Sequence, residues 1–248
     1  MNDTEPRTWQ KEPISCKNCV HATDGTSCLL GSACVQDRLA SRIDRFFLRN
    51  SHLASCYLDH PYFEVRAVAS QYASLFLLPP LMRDPDETVR AWVAARLPHR
   101  FLLAMRRDPS REVRVRVVSR LSGQDLLPLV GDEDYFVRQV VARRLDDSML
   151  PLMLHDPDPE VRKAVAGRIN RPWLDIMARD ADPQVRKTVA HRLSGPALAA
   201  LAQDPDWTVR LEAVKWLDEP WLEKLLLDPE EEVRAAARAR LKEEAAPW

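Results

Sequence analysis

The chain has 248 residues, 46% of them hydrophobic and 29% charged, with a formal net charge of -1. That composition excludes a disordered chain, and 19 prolines against 6 glycines argue against Gly-rich phosphate-binding enzymes and turn-rich β proteins. No apolar run reaches the ~18 residues of a membrane span and MNDTEPRTWQKEP lacks a secretory apolar core, so we expect a cytoplasmic protein with reduced thiols.

All five cysteines fall in the first quarter of the chain. Cys16, Cys19, Cys28 and Cys34 form a C-x2-C-x8-C-x5-C run, and Cys56 stands 22 positions further on. Disulfides are disfavoured in a reducing compartment. A four-thiolate zinc site is usually built from two C-x2-C knuckles, and here the second pair is more widely spaced. An iron–sulfur cluster also takes four thiolates and tolerates irregular spacing. Spacing therefore points to metal binding and leaves iron–sulfur and zinc both open. His52 stands four residues before Cys56 and would share a helix face with it, which raises the idea of a fifth ligand. We favour a small buried thiol in the first core helix for Cys56, and a bystander for His21.

Residues 36–59 carry a faint echo of the units that follow. Arg42 lies 24 residues before Arg66, Ser41 stands in the place of a valine, and Asp37 is one position out of register. This is expected to be a degenerate cap, since an end unit has only one neighbour. We divide the chain into a cysteine-rich domain with this cap, residues 1–58, and a repeat domain, residues 59–248.

From Val65 onward the dipeptide Val-Arg returns every 24 residues, at Val65, Val89, Val113, Val137, Val161, Val185, Val209 and Val233, without an insertion or deletion. A period of that length, kept so strictly, predicts a stacked repeat array. Five residues before Val stands Asp in seven of the eight units, and the next position is Pro in six. Asp-Pro predicts a helix start, with the carboxylate as N-cap and the proline at the first helical position.

Apolar residues then fall at Val, Val+4, Val+5 and Val+8, as in Val113, Val117, Val118 and Leu121. At about 100° per residue these cover one arc of about 140°, a core-facing helix stripe. Leu recurs at Val+13, and Leu or Met at Val+16. Only about seven residues separate this segment from the next Asp, and prolines open or interrupt it, so a 3₁₀ turn or a very short α-helix is expected. The architecture is all-α: a helical solenoid of eight 24-residue repeats, each with a long and a short helix, behind a small four-cysteine metal domain.

The Arg after each Val stands inside the apolar arc. Its stem must lie along the core and its head must find a carboxylate. We expect an internal ladder to the Asp column of a neighbouring unit. A second Arg column at Val+7 (Arg96, Arg120, Arg144, Arg168, Arg192, Arg240) flanks the arc and is expected to be solvated.

These residues resemble the leucine-rich repeat variant family that carries an N-terminal iron–sulfur domain. The resemblance covers nearly the whole chain: the 24-residue unit with D-P-x-x-x-V-R, and the four-cysteine segment. It implies an α-helix alternating with a 3₁₀ helix, wound into a right-handed superhelix. It also implies a [4Fe-4S] cluster held by Cys16, Cys19, Cys28 and Cys34, and a nitrogen-fixation context; Zn2+ is the alternative that the spacing leaves open. Departures are His60 in place of the first Asp, and Glu133 and Ala181 in place of Pro.

No P-loop, G-x-S-x-G, H-E-x-x-H or Gly-rich fingerprint occurs. The six histidines keep no repeat column, and His191 reads as a tolerated edge residue. Residues 90–120 hold nine arginines against two acids, a balance of +7, whereas residues 218–244 balance at -4. We expect a non-enzymatic, cluster-bearing scaffold, redox-responsive in one version, that binds an unidentified protein partner on its solenoid surface. It would act on no small-molecule substrate and no membrane. The alternative is a nucleic-acid-binding or -processing protein gripping phosphate with its Arg-rich repeats, although a net charge of -1 is unlike most such proteins.

Overall fold

The computed structural model describes residues 5–17, 19–22 and 28–244. The chain forms two compact units, Met1–Leu121 and Ser122–Trp248. Among the described residues there is no strand, only the isolated bridges Arg7–Pro13 and Leu29–Ala33.

In the first unit the long helices are α1 (Ala40–Arg49), α2 (Phe63–Tyr72), α3 (Glu87–Arg96) and α5 (Arg111–Val118), with α4 (His99–Met105) as a short arm. The second unit holds α6 (Tyr135–Arg144), α7 (Pro159–Ala166), α9 (Pro183–Ala190), α11 (Trp207–Val214) and α13 (Glu231–Glu244) as long helices. Its helical short arms are α8 (Arg171–Met177), α10 (Pro196–Leu201) and α12 (Glu219–Leu225). Within each unit every long helix packs on the next long helix, and each helical short arm packs on the long helix that follows it. The remaining short arms are 3₁₀: Pro79–Arg83, Gly123–Leu129 and Leu150–Met153.

Proline at the first turn fits either kind of short arm, since Pro79 and Pro151 open 3₁₀ segments. Pro172, Pro196 and Pro220 stand at the first turn of α8, α10 and α12, where a missing N–H costs nothing. Pro128 lies inside its segment, and Pro151 near the start of a four-residue one, where 3₁₀ pairing is all the room allows. The core follows the expected columns. Val, Val+4 and Val+13 are buried in every repeat where they are described, as are nearly all Val+5, Val+8 and Val+16 residues.

The helix starts differ from expectation. The N-cap is the residue three before Val, not five: Asp86 accepts from Thr88 N at 2.8 Å, Asp134 from Phe136 N at 2.8 Å, and Asp182 from Gln184 N at 2.8 Å. Pro159 and Pro183, rather than the earlier prolines, occupy the first helical turn. The Asp five before Val caps the turn ahead of the helix, as when Asp84 Oδ1 accepts from Asp86 N at 2.9 Å. Its carboxylate is otherwise committed to arginine.

That commitment is the expected ladder. Arg90 Nε donates to Asp108 Oδ2 at 2.8 Å and Nη2 to Oδ1 at 2.9 Å, while Nη1 reaches Asp84 O at 2.8 Å and Pro85 O at 3.2 Å. Four guanidinium bonds offset the cost of burying the charge. Arg66–Asp84, Arg138–Asp156, Arg162–Asp180, Arg186–Asp204 and Arg210–Asp228 repeat the pairing at 2.7 Å. At the ends the arginine turns to an acid of its own repeat: Arg42 to Asp37 at 2.9 Å and Arg234 to Glu231 at 2.5 Å. His60 takes over only the turn role of the missing Asp, accepting from Tyr62 N through Nδ1 at 3.1 Å.

The second Arg column is not simply solvated, as expected from the helical wheel. Arg96 Nη1 donates to Ser70 O at 2.6 Å and Ala73 O at 2.7 Å, and Arg120 Nη1 to Ala94 O at 3.0 Å and Leu97 O at 2.6 Å. Arg168 and Arg192 reach Ala142 O and Ala166 O in the same way. Each caps the free carbonyls at the C-terminus of the preceding long helix, where a cation is favoured.

Candidate metal centre

The cysteine-rich segment lies in the first unit and is built from two turns. Cys19 N donates to Cys16 O at 3.2 Å, closing the C-x2-C knuckle, and Ala22 N returns to Cys19 O at 3.0 Å. Cys28 and Cys34 flank the Leu29–Ala33 bridge, whose two N–H···O bonds are both 2.8 Å. Gly31 turns that hairpin at a φ of 76°, and a Cβ there would meet Pro6 at 3.4 Å. The hairpin thus brings two cysteines six positions apart side by side, and their side chains are hydrogen-bonded. Spacing alone had made this pair look unlike a metal knuckle.

The segment is fastened to the cap unit. Cys34 N donates to Arg42 O in α1 at 3.1 Å, and Asp37 N to Cys34 O at 3.4 Å. Asp37 in turn holds Arg42, so the first rung of the arginine system fixes the backbone beside Cys34. Further anchors are Arg45 Nε to Ser32 O at 2.7 Å and Arg38 N to Arg7 O at 3.0 Å. Trp9 stacks on Tyr62 with centroids 5.8 Å apart.

Burial pushes the Cys34 thiol up to about 12. Cys28 is also raised, by burial first and then by Cys19 and Cys16 nearby, with the Cys34 hydrogen bond opposing. All four thiols therefore share one electrostatic neighbourhood. Among the described residues, no group of three or more His, Cys, Asp or Glu side chains already converges on a single ion position. The donor set nonetheless fits a thiolate-bound group: four free thiols, soft ligands that deprotonate against a metal's positive charge.

His21 and Cys56 complete the neighbourhood without joining that set. His21 Nε2 meets Tyr57 OH at 2.5 Å, and its ring lies 5.0 Å from Phe46, so it ties the loop after the knuckle to the cap. Cys56 is exposed, not buried as expected. It lies in the 3₁₀ segment Ser51–Tyr57. At about three residues per turn, that segment aims Ala54 inward and leaves Cys56 on another edge. The same pitch removes His52 from the face of Cys56.

Residues 6–56, which span all five cysteines, match the family model described as the LRV protein FeS4 cluster, and residues 183–206 match the leucine rich repeat variant model. A solved structure described as a leucine-rich repeat variant with a novel repetitive protein structural motif is 42% identical. The match covers 92% of this chain and 98% of that one, with a TM-score of 0.86. The chain belongs to the leucine-rich repeat variant family. It is an iron–sulfur-containing repeat protein with that family's helical solenoid fold.

A curated protein similar to part of this chain, an uncharacterized 27.7 kDa protein in the nifB 3' region of Rhodobacter capsulatus, is 44% identical over 96 residues. That match spans 38% of this chain and 39% of the relative. No helix among the described residues of this variant protein is long and apolar enough to cross a membrane.

Proposed function

We propose that this leucine-rich repeat variant protein is a non-enzymatic scaffold that binds a macromolecular partner and carries a [4Fe-4S] cluster on Cys16, Cys19, Cys28 and Cys34. One observation carries the scaffold reading: the polar side chains common to the repeats are spent inside the array, and the variable ones face out. Both arginine columns bond to neighbouring repeats, while Phe76, Trp92, Leu152, Ile176 and Trp207 remain exposed. A constant interior under a variable surface suits partner recognition rather than turnover. When bound, the cluster supplies one-electron chemistry and a positive core for the thiolates. The chain's own residues hold the knuckle and the hairpin against α1.

The same accounting weakens the nucleic-acid reading. Of the nine arginines in residues 90–120, Arg90, Arg96, Arg114 and Arg120 are engaged with backbone or carboxylate oxygens, and Arg111 pairs with Glu112. The test is anaerobic capture by the full, cluster-loaded chain. A partner retained by the parent and lost on Leu152→Ala with Ile176→Ala supports the scaffold. Binding to DNA or RNA that falls steeply with salt contradicts it.

A further inference from the structure

In the second unit, the sides of α7, α9 and α11 that turn away from the Val column border a cavity of 330 Å³ that is largely open to solvent. Its walls include Lys163, Gly167, Lys187, His191, Arg192 and Glu212. Small-molecule sites begin at about 300 Å³, so the space is sufficient for a compact ligand. None of these residues belongs to the arginine–aspartate ladder or to the metal centre.

The charges in this cavity are unbalanced. Glu212 is buried and already held by Lys215 from outside the lining at 2.8 Å. Lys163 shares Glu160 at 3.5 Å in an exposed pair, a contact of little strength. In the next repeat Gln184 replaces that glutamate, and Lys187 has no acidic partner among the described residues. Arg192 makes one side-chain hydrogen bond, from Nη1 to Ala166 O at 2.8 Å, leaving its other edge uncommitted. Lysines at Val+2 occur only in these two adjacent repeats, where the others carry Ala67, Ala91, Val115, Gln139, Leu211 and Ala235.

Gly167 provides the space. The same column holds Ala95, Ser119, Arg143, His191 and Lys215 in other repeats. A Cβ at Gly167 would meet only Ala164 O at 3.5 Å and Lys163 O at 3.6 Å, ordinary contacts, so the backbone does not require glycine. Its missing side chain leaves that stretch of the cavity wall bare.

We propose that this cavity binds a small phosphate monoester, with the phosphoryl group on Lys163, Lys187 and Arg192 and the carbon-bearing part in the remaining volume. Three cations lining one cavity match a dianion, and the guanidinium edge offers paired donors to phosphoryl oxygens. The probes are phenyl phosphate and inorganic phosphate, titrated calorimetrically into the full, cluster-loaded chain in chloride buffer. Saturable one-to-one binding is expected, tighter for phenyl phosphate. Lys187→Gln should weaken it about tenfold or more. Gly167→Leu should abolish it by filling the space, with helical content and unfolding midpoint unchanged. Absence of saturable binding up to about 10 mM, or binding that both variants leave intact, overturns the proposal.

Discussion

Arg138 and Asp156, 18 residues apart, meet edge to edge: Nε to Oδ2 at 2.7 Å and Nη2 to Oδ1 at 2.9 Å, both side chains buried. Removing one partner leaves the other charge buried and unpaired, at about 3–5 kcal/mol. Arg138→Ala should therefore lower the urea midpoint far more than a surface arginine substitution such as Arg143→Ala. Asp156→Ala should cost a similar amount, and the double variant less than the sum of the two. Strict additivity would show that the rung is decorative.

The second arginine column predicts a local effect. Arg120 caps Ala94 O and Leu97 O at the end of α3. Arg120→Met keeps the apolar stem but loses two charge-assisted bonds, about 1.5–3 kcal/mol each. Hydrogen exchange should quicken in the last turn of α3 before it does elsewhere in the first unit. Uniform quickening, or none, would contradict the capping role.

Asp180 and Asp182 look alike in sequence, but Asp180 is held by Arg162 and Asp182 caps α9. Asp182→Ala should cost about 1 kcal/mol. Ala181 stands where six other repeats carry proline, and its N–H donates no hydrogen bond among the described residues. Ala181→Pro should stabilise by about 0.4–1 kcal/mol through the unfolded state. Denaturant unfolding of the two variants checks both signs.

Acid should loosen the ladder. The hydrogen bonds from Arg210 hold Asp228 below the ordinary carboxylate range, against burial. In Asp180 burial is the largest influence and pushes upward, but Arg162 and the other bonds outweigh it. A depressed folded pKa means stability that is whole above the unfolded value of about 3.9 and is lost as pH falls through the folded one. The unfolding midpoint should drop steeply below about pH 4, and Asp228→Asn should flatten that slope. Parallel pH profiles for parent and variant would contradict the pairing.

Much of the architecture was legible because a 24-residue period exposes every column at once. Val113, Val117, Leu121 and Leu126 announce the core by spacing alone, and Arg90 inside an apolar arc demands an acid. The misreadings came from roles that spacing does not carry. Asp-Pro resembles a helix start, yet its Asp is taken by arginine, and the cap passes to Asp86, Asp134, Asp158, Asp182 and Asp206. That column stands at Val-3, with Pro159 and Pro183 beside it in two repeats. The acceptors of Arg96 and Arg120 are main-chain carbonyls, which no side-chain pattern reveals. Cys56 was misplaced because a 3₁₀ segment turns faster than an α-helix. The Cys28–Cys34 pairing depended on a hairpin turned by Gly31, a backbone feature rather than a ligand spacing.

The metal centre decides the account. The full chain, expressed and purified without oxygen, should be brown, contain about four iron and about four sulfide per molecule, and bleach with dithionite. Cys16→Ser, Cys19→Ser, Cys28→Ser and Cys34→Ser should each lose that iron, whereas Cys56→Ser should keep it. A colourless protein holding stoichiometric zinc, or full iron loading in the Cys34→Ser variant with loss in Cys56→Ser, would contradict the assignment.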